Sequence, residues 1–402
     1  VGARTVLFGG DLFGGALLPA PEGGSDWWST YLAGWHPVTL GSPEAAPSYL
    51  AALAAAAVAV FGNASFLVSL LIIGAVPAAV ATSWWAMSGK VGSPVLRVWA
   101  SLTYGTVLLA SGAVAAGRLG TCVVAVMAPL VVRGVVSALA DGSPLRRSWL
   151  AGFGLGVSAA FAPIAWPLAA CAAAVGALAF ARTVGSLLRW LIVVAVPAVV
   201  LLPWLPALAE RTALWASEPG LTGQGGQLSD PALSPFAPLL LHSGGPGSLA
   251  PGVLAGLTVL GVAALVLAPG RRVIVAWVLA ATAIAAAVLV SRTLVSTPAG
   301  EGSAAGWPGP AVTVAALGIV AAIVLAADQG TGTLSRGVRL LGAGVAGVTT
   351  AVALALGLVG SLADPLVRDD SALLPLYVAE EASSPQRPTT LVLRLTGGDD
   401  PV

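Results

Sequence analysis

The chain has 402 residues, 57% of them hydrophobic and 9% charged, with eighteen basic against seventeen acidic side chains. A soluble globular domain carries roughly 25% charged residues, so this composition excludes a water-covered globule. The near balance of charge gives no footing for nucleic-acid binding.

Residues 1–46 come first and are rich in Trp, Gly and Pro, with Asp11, Glu22, Asp26 and Glu44 against Arg4 alone. Apolar runs follow at 47–62, 66–87, 97–116, 121–140, 149–164, 166–181, 188–206, 252–268, 273–291, 310–327 and 338–361. Runs of about 20 apolar residues cross a hydrocarbon core of roughly 30 Å as helices. Barrel strands would alternate in polarity, and these runs are continuous. Pro163 and Pro167 bracket Ile164, Ala165 and Trp166, so 149–181 reads as a tight hairpin or as one long kinked helix. The glycines at 342, 344, 347, 357 and 360 read as close helix packing. Cys122 and Cys171 lie far apart in apolar runs and read as two buried thiols.

Cytoplasmic loops collect Arg and Lys. With the Lys90/Arg97 loop inside, the inner set holds eleven basic residues, including the pairs Arg146/Arg147 and Arg271/Arg272, and only Asp141 and Asp328 as acids. The other side holds fifteen of the seventeen acids. A spanning 47–62 would place the acidic segment 1–46 inside. At sixteen residues it is short for a span, so it is expected to lie along or dip into the outer interface. The expected fold is all-α and integral to the plasma membrane, with about ten transmembrane helices. Residues 1–46 form an extracytoplasmic loop, 47–362 the polytopic membrane domain, and 363–402 an extracytoplasmic tail. That tail, with a strand-like stretch at 389–395, reads as the start of an α/β or β domain, and the chain as a piece of a longer polypeptide.

There is no phosphate-binding loop and no metalloprotease helix motif, and His36 and His242 are the only histidines, so no metal site is assigned. The densest constellation is Asp26, Trp27, Trp28, Tyr31, Trp35 and His36. One reading is an interfacial aromatic belt. The other is a sugar or lipid-phosphate site, with rings against sugar faces and the acid as base or metal contact. Asp11, in Gly9-Gly10-Asp11-Leu12-Phe13-Gly14-Gly15, is a second carboxylate candidate or a solvated loop acid. Arg118, in a tight outer turn, is a phosphate partner or a headgroup anchor. Glu210, Arg211 and Asp230, in the long outer loop, are candidates to complete a pocket, and Arg133 is expected to snorkel.

The run Gly15-Ala16-Leu17-Leu18-Pro19-Ala20-Pro21, then Trp28-Ser29-x-Tyr31 and Gly34-Trp35-His36-Pro37-Val38, then Ala46-Pro47-x-Tyr49-Leu50-Ala51, resembles the membrane region of large actinobacterial family-2 glycosyltransferases. Ala116-Gly117-Arg118-Leu119-Gly120-Thr121, Phe161-Ala162-Pro163-x-x-Trp166-Pro167 and Tyr377-Val378-Ala379-Glu380-Glu381 fit the same pattern. The resemblance implies the membrane half of an enzyme of cell-envelope polysaccharide or glycolipid assembly, with a cytoplasmic family-2 domain upstream in the same polypeptide. The outer loop, interfacial segment and next inward span are also similar in layout to GT-C membrane glycosyltransferases. Those use a polyprenyl-phosphate sugar donor and an acid in the first outer loop. On that likeness Asp26 or Asp11 is the catalytic acid, and Arg118, His36, Trp27, Trp28, Trp35 and Tyr31 bind the lipid-linked sugar. A divalent metal ion stays open as cofactor. A flippase for lipid-linked glycans, or a non-catalytic anchor, remain the alternatives.

Overall fold

The structure is a computed structural model. It describes residues 11–36, 43–138, 140, 142–180, 184–220, 229–296, 303–329, 335–360 and 367–369. Strand β1 (Asp11–Phe13) and helix α1 (Gly24–Leu32) come first, then α2 (Tyr49–Ala57), α3 (Ala64–Ile73), α4 (Ala75–Met87), α5 (Pro94–Ala110) and α6 (Leu119–Ala138). Next are α7 (Leu145–Phe161), α8 (Ala165–Phe180), α9 (Val184–Val200), the short α10 (Leu205–Glu210), α11 (Ala255–Leu267) and α12 (Arg271–Ser291). Strands β2 (Leu294–Ser296) and β3 (Ser303–Ala305) precede α13 (Gly309–Gln329), α14 (Arg336–Gly360) and β4 (Val367–Asp369).

Every apolar run becomes helix, and the fold is all-α and membrane-integral. Among the described residues, helices α6, α12, α13 and α14 are long and apolar enough to cross a bilayer, and two bent pairs raise the number to six, against the ten or so expected from the apolar runs. Other apolar runs form shorter helices such as α5 and α11. At 1.5 Å per residue, α11 rises only about 20 Å, so length and not polarity separates it from the full spans. Pillar α13 packs against α12, α6, α5 and α11, with 72% of its apolar window buried. Helix α14, at 17%, lies at the periphery. Its Gly357 meets Leu109 closely, but Gly344 and Gly347 face open space, so the close packing read from these glycines holds only along part of α14.

Two breaks interrupt the helices next to the first loop. Residues 49–60 meet α3 at 100°, the shape of a broken span or a re-entrant loop. Phe61 and Gly62 carry the turn with positive φ, and the Asn63 side chain caps α3 by accepting the Phe66 N–H at 2.8 Å. The second break, at Ala162 and Pro163, separates α7 from α8, which settles 149–181 as two helices. Helix α7 packs on α6 and α9, and α8 on α12 and α9.

Arg133 does more than snorkel. Its Nη1 donates to the carbonyls of Trp85, Ala86 and Ser88 at 2.7, 3.1 and 2.8 Å, and its guanidinium lies 4.2 Å from the Trp85 ring. It therefore caps the C-terminal end of α4 from α6. Of the two thiols, Cys122 is buried and Cys171 is exposed, which corrects the expectation for the second: its position on α8 faces outward. At the opposite end of the chain, β1 pairs antiparallel with β4, Leu12 facing Arg368 in register. Both flanks of the helical body thus meet at one place. The strand-like stretch 389–395 lies outside the described residues.

Candidate functional site

The described part of the first loop packs against the turn before α6. Ala16 donates its N–H to the Ala116 carbonyl at 2.8 Å. Gly15, at φ +56, approaches that carbonyl so closely that a Cβ would sit 2.5 Å from it. Helix α1 starts with a Gly23-x-x-Asp26 cap, in which the exposed Asp26 carboxylate accepts the Gly23 N–H at 3.0 Å. The next residue, Trp27, turns inward and is buried. It lines an apolar cavity of about 110 Å³ together with Leu17, Tyr49, Leu53, Leu119 and Gly220.

The other sequence candidates separate from it. Trp28 and Tyr31 stack with ring centroids 5.8 Å apart; Trp28 is exposed, as is Trp35. His36 is buried, and its Nε2 has no hydrogen-bond partner among the described residues. Asp11 contributes backbone to β1, and its side chain lies outside the described atoms. Glu210 is exposed, Asp230 folds back on the Ala232 N–H, and Arg211 forms an exposed ion pair with Glu44 that ties the first loop to the long one. Such a surface pair is worth about 0.2–1 kcal/mol.

Arg118 is fully buried, and its partner is a residue that the sequence reading did not single out. Its Nη1 donates to Glu218 Oε1 at 3.0 Å, and the Thr121 hydroxyl donates to Oε2 at 3.2 Å. Trp307 closes the set, its Nε1 donating to Thr121 Oγ1 at 2.9 Å and its ring lying 4.3 Å from the Arg118 guanidinium carbon. Burial pushes the Glu218 carboxyl up from the ordinary carboxylate range and the Arg118 guanidinium down, while the charge and hydrogen bonds of the partners oppose both shifts. The residues that follow each member, Leu119 and Pro219-Gly220, line the cavity. The ion pair therefore stands directly behind the cavity wall.

Gly120 makes this approach possible. A Cβ there would lie 2.9 Å from the Phe161 carbonyl and 3.0 Å from Glu218 Oε2. Gly120→Ala is therefore expected to push Glu218 off Thr121 and cost about 1–3 kcal/mol, read as a lower unfolding midpoint in detergent. No loss would mean that the loop carrying Glu218 gives way freely. No three His, Cys, Asp or Glu side chains cluster as metal ligands among the described residues.

These elements define a polytopic α-helical membrane protein with an apolar cavity under its first loop and a buried ion pair behind it. No family model matches the chain, and no curated protein matches it. Among solved structures it is similar to ArnT from Cupriavidus metallidurans bound to undecaprenyl phosphate, at 16% identity and TM-score 0.45, over 79% of this chain and 66% of that one. It is similar also to the apo state of that protein, at 16% identity and TM-score 0.44, over 79% and 65% of the two chains. The chain spans about two thirds of the length of the structures it resembles.

Proposed function

We propose that the chain is the membrane part of a cell-envelope glycosyltransferase that takes its sugar from a polyprenyl-phosphate donor at the outer face of the plasma membrane. The observation that carries this reading is the apolar cavity walled by Trp27, with the Arg118 cation behind the same wall. Such a donor is an amphiphile. It needs an apolar recess for its chain, a cation near its phosphate, and aromatic faces beside its sugar. The first loop supplies the aromatic faces and part of the recess, and the turn before α6 supplies the cation.

In the proposed reaction a carboxylate removes the proton of an acceptor hydroxyl, and the hydroxyl oxygen attacks the anomeric carbon. The bond to the donor phosphate breaks, and the phosphate leaves with the electron pair. Asp26 is assigned the base, with Asp11 as the second carboxylate; Trp28, Tyr31, Trp35 and His36 are assigned to the sugars. Trp27 is assigned to the lipid chain.

Asp26→Asn separates chemistry from architecture, because an asparagine oxygen still accepts the Gly23 N–H and keeps α1 capped. Transfer of sugar from a polyprenyl-phosphate donor is expected to fall at least about 100-fold in this variant, with folding unchanged. Full transfer by the variant would remove Asp26 from the chemistry and leave the base to another carboxylate.

A further inference from the structure

We infer that Glu218 is a stand-in ligand, holding a seat on Arg118 and Thr121 that the phosphate of a lipid-linked ligand takes over when it binds. The inference rests on the donor class proposed above and adds the residue that the donor must displace.

The seat has the donors of an oxyanion site: a guanidinium N–H and a hydroxyl converge on the two carboxylate oxygens, one on each. Its occupant arrives on a loop and not on a helix, following a 3-10 turn at Thr212–Ala216. Pro219 and Gly220, next along the chain, form part of the cavity wall. Withdrawal of Glu218 would therefore move the wall as it frees the cation, so the headgroup and the chain of one amphiphile would be admitted together. A buried ion pair is also a poor way to gain stability, since apolar residues of the same volume serve as well or better. A role in exchange accounts for keeping it. The titratable groups that face Glu218 among the described residues are Arg118 and Cys122. Protonation of Glu218, favoured by its burial, would ease its withdrawal.

The test uses the full chain purified in detergent, with polyprenyl phosphate lacking a sugar as the probe and calorimetry as the readout. Glu218→Gln keeps the shape and removes the competing charge. It is expected to bind the probe about 10-fold more tightly at neutral pH, because a seat occupied from within lowers apparent affinity. The ratio of wild-type to variant Kd is expected to shrink toward one as pH falls, the probe's own titration cancelling in the ratio. A second measurement leaves Glu218 in place. With Cys122 and Cys171 replaced by Ala, a Pro219→Cys variant is expected to react faster with maleimide once polyprenyl phosphate is added.

Equal or weaker binding by Glu218→Gln, with a ratio flat in pH, or a Pro219→Cys rate indifferent to the probe, would overturn the exchange while leaving the donor class standing. If neither wild type nor variant binds polyprenyl phosphate at any pH, the donor class falls and the exchange with it. Inorganic phosphate is the tail-less arm and is expected to leave the labelling rate unchanged. Acceleration by it at equal concentration would overturn the lipid part of the inference.

Discussion

Replacing Arg118 with methionine is expected to destabilise the protein by about 3–5 kcal/mol, the usual consequence of stranding one member of a buried ion pair. The side chain of Glu218 is 2% exposed, so no water compensates the carboxylate once the guanidinium is gone. Thr121 still offers its hydroxyl, and the Trp307 ring loses the cation above it. That one remaining bond leaves an unpaired carboxylate in a dry site, where it takes up a proton at the expense of folding. A double variant, Arg118→Met with Glu218→Leu, is expected to recover most of the loss, because two apolar residues of similar volume remove both desolvation terms. Unfolding in detergent of the two single variants and the double one forms a cycle that isolates the pair. A loss below about 1 kcal/mol for Arg118→Met would show that water or a second cation reaches Glu218. A double variant no better than the single would show that the pair fixes backbone geometry as well as charge.

The pair also marks where sequence reading stops. Apolar runs located the spanning helices because a bilayer demands continuous hydrophobicity, a one-dimensional signal. Pro163 announced the break between α7 and α8, since a proline removes a backbone donor. The shortness of 47–62 pointed to a segment lying along or dipping into the interface, and residues 49–60 meet α3 at 100°, the shape of a broken span or a re-entrant loop. Arg118 stands out as a lone cation in a turn between two apolar runs. Glu218, one acid among several in a long loop, carried no local mark, because its partner is 100 positions away. Trp27 was legible as part of an aromatic cluster, but which ring of that cluster turns inward depends on the phase of α1, set by the Gly23–Asp26 cap. Arg133 showed its position near a span end, and its grip on α4 depended on a contact 48 positions away.

Gly220→Ala is expected to cost about 2–5 kcal/mol, combining left-handed strain with a backbone collision. Gly62→Ala shows the strain alone. Gly62 has φ +81 and nothing within 4 Å of an added Cβ, so alanine there meets only the left-handed penalty, about 1–2 kcal/mol. Gly220 has nearly the same φ, +76, but its Cβ would fall 1.6 Å from the Ala16 carbonyl oxygen. That oxygen belongs to backbone, and Ala16 is tied at 2.8 Å to the Ala116 carbonyl, so it has little room to retreat. One side must move, and both line the cavity. The Gly220 variant is therefore expected to lose binding of a lipid phosphate along with stability, whereas the Gly62 variant keeps binding. Comparing the unfolding midpoints and probe affinities of the two variants separates the effects. Equal stability losses would mean that the first loop yields to the new methyl group, and that residues 14–20 form a looser wall than their contacts with 116 and 220 imply.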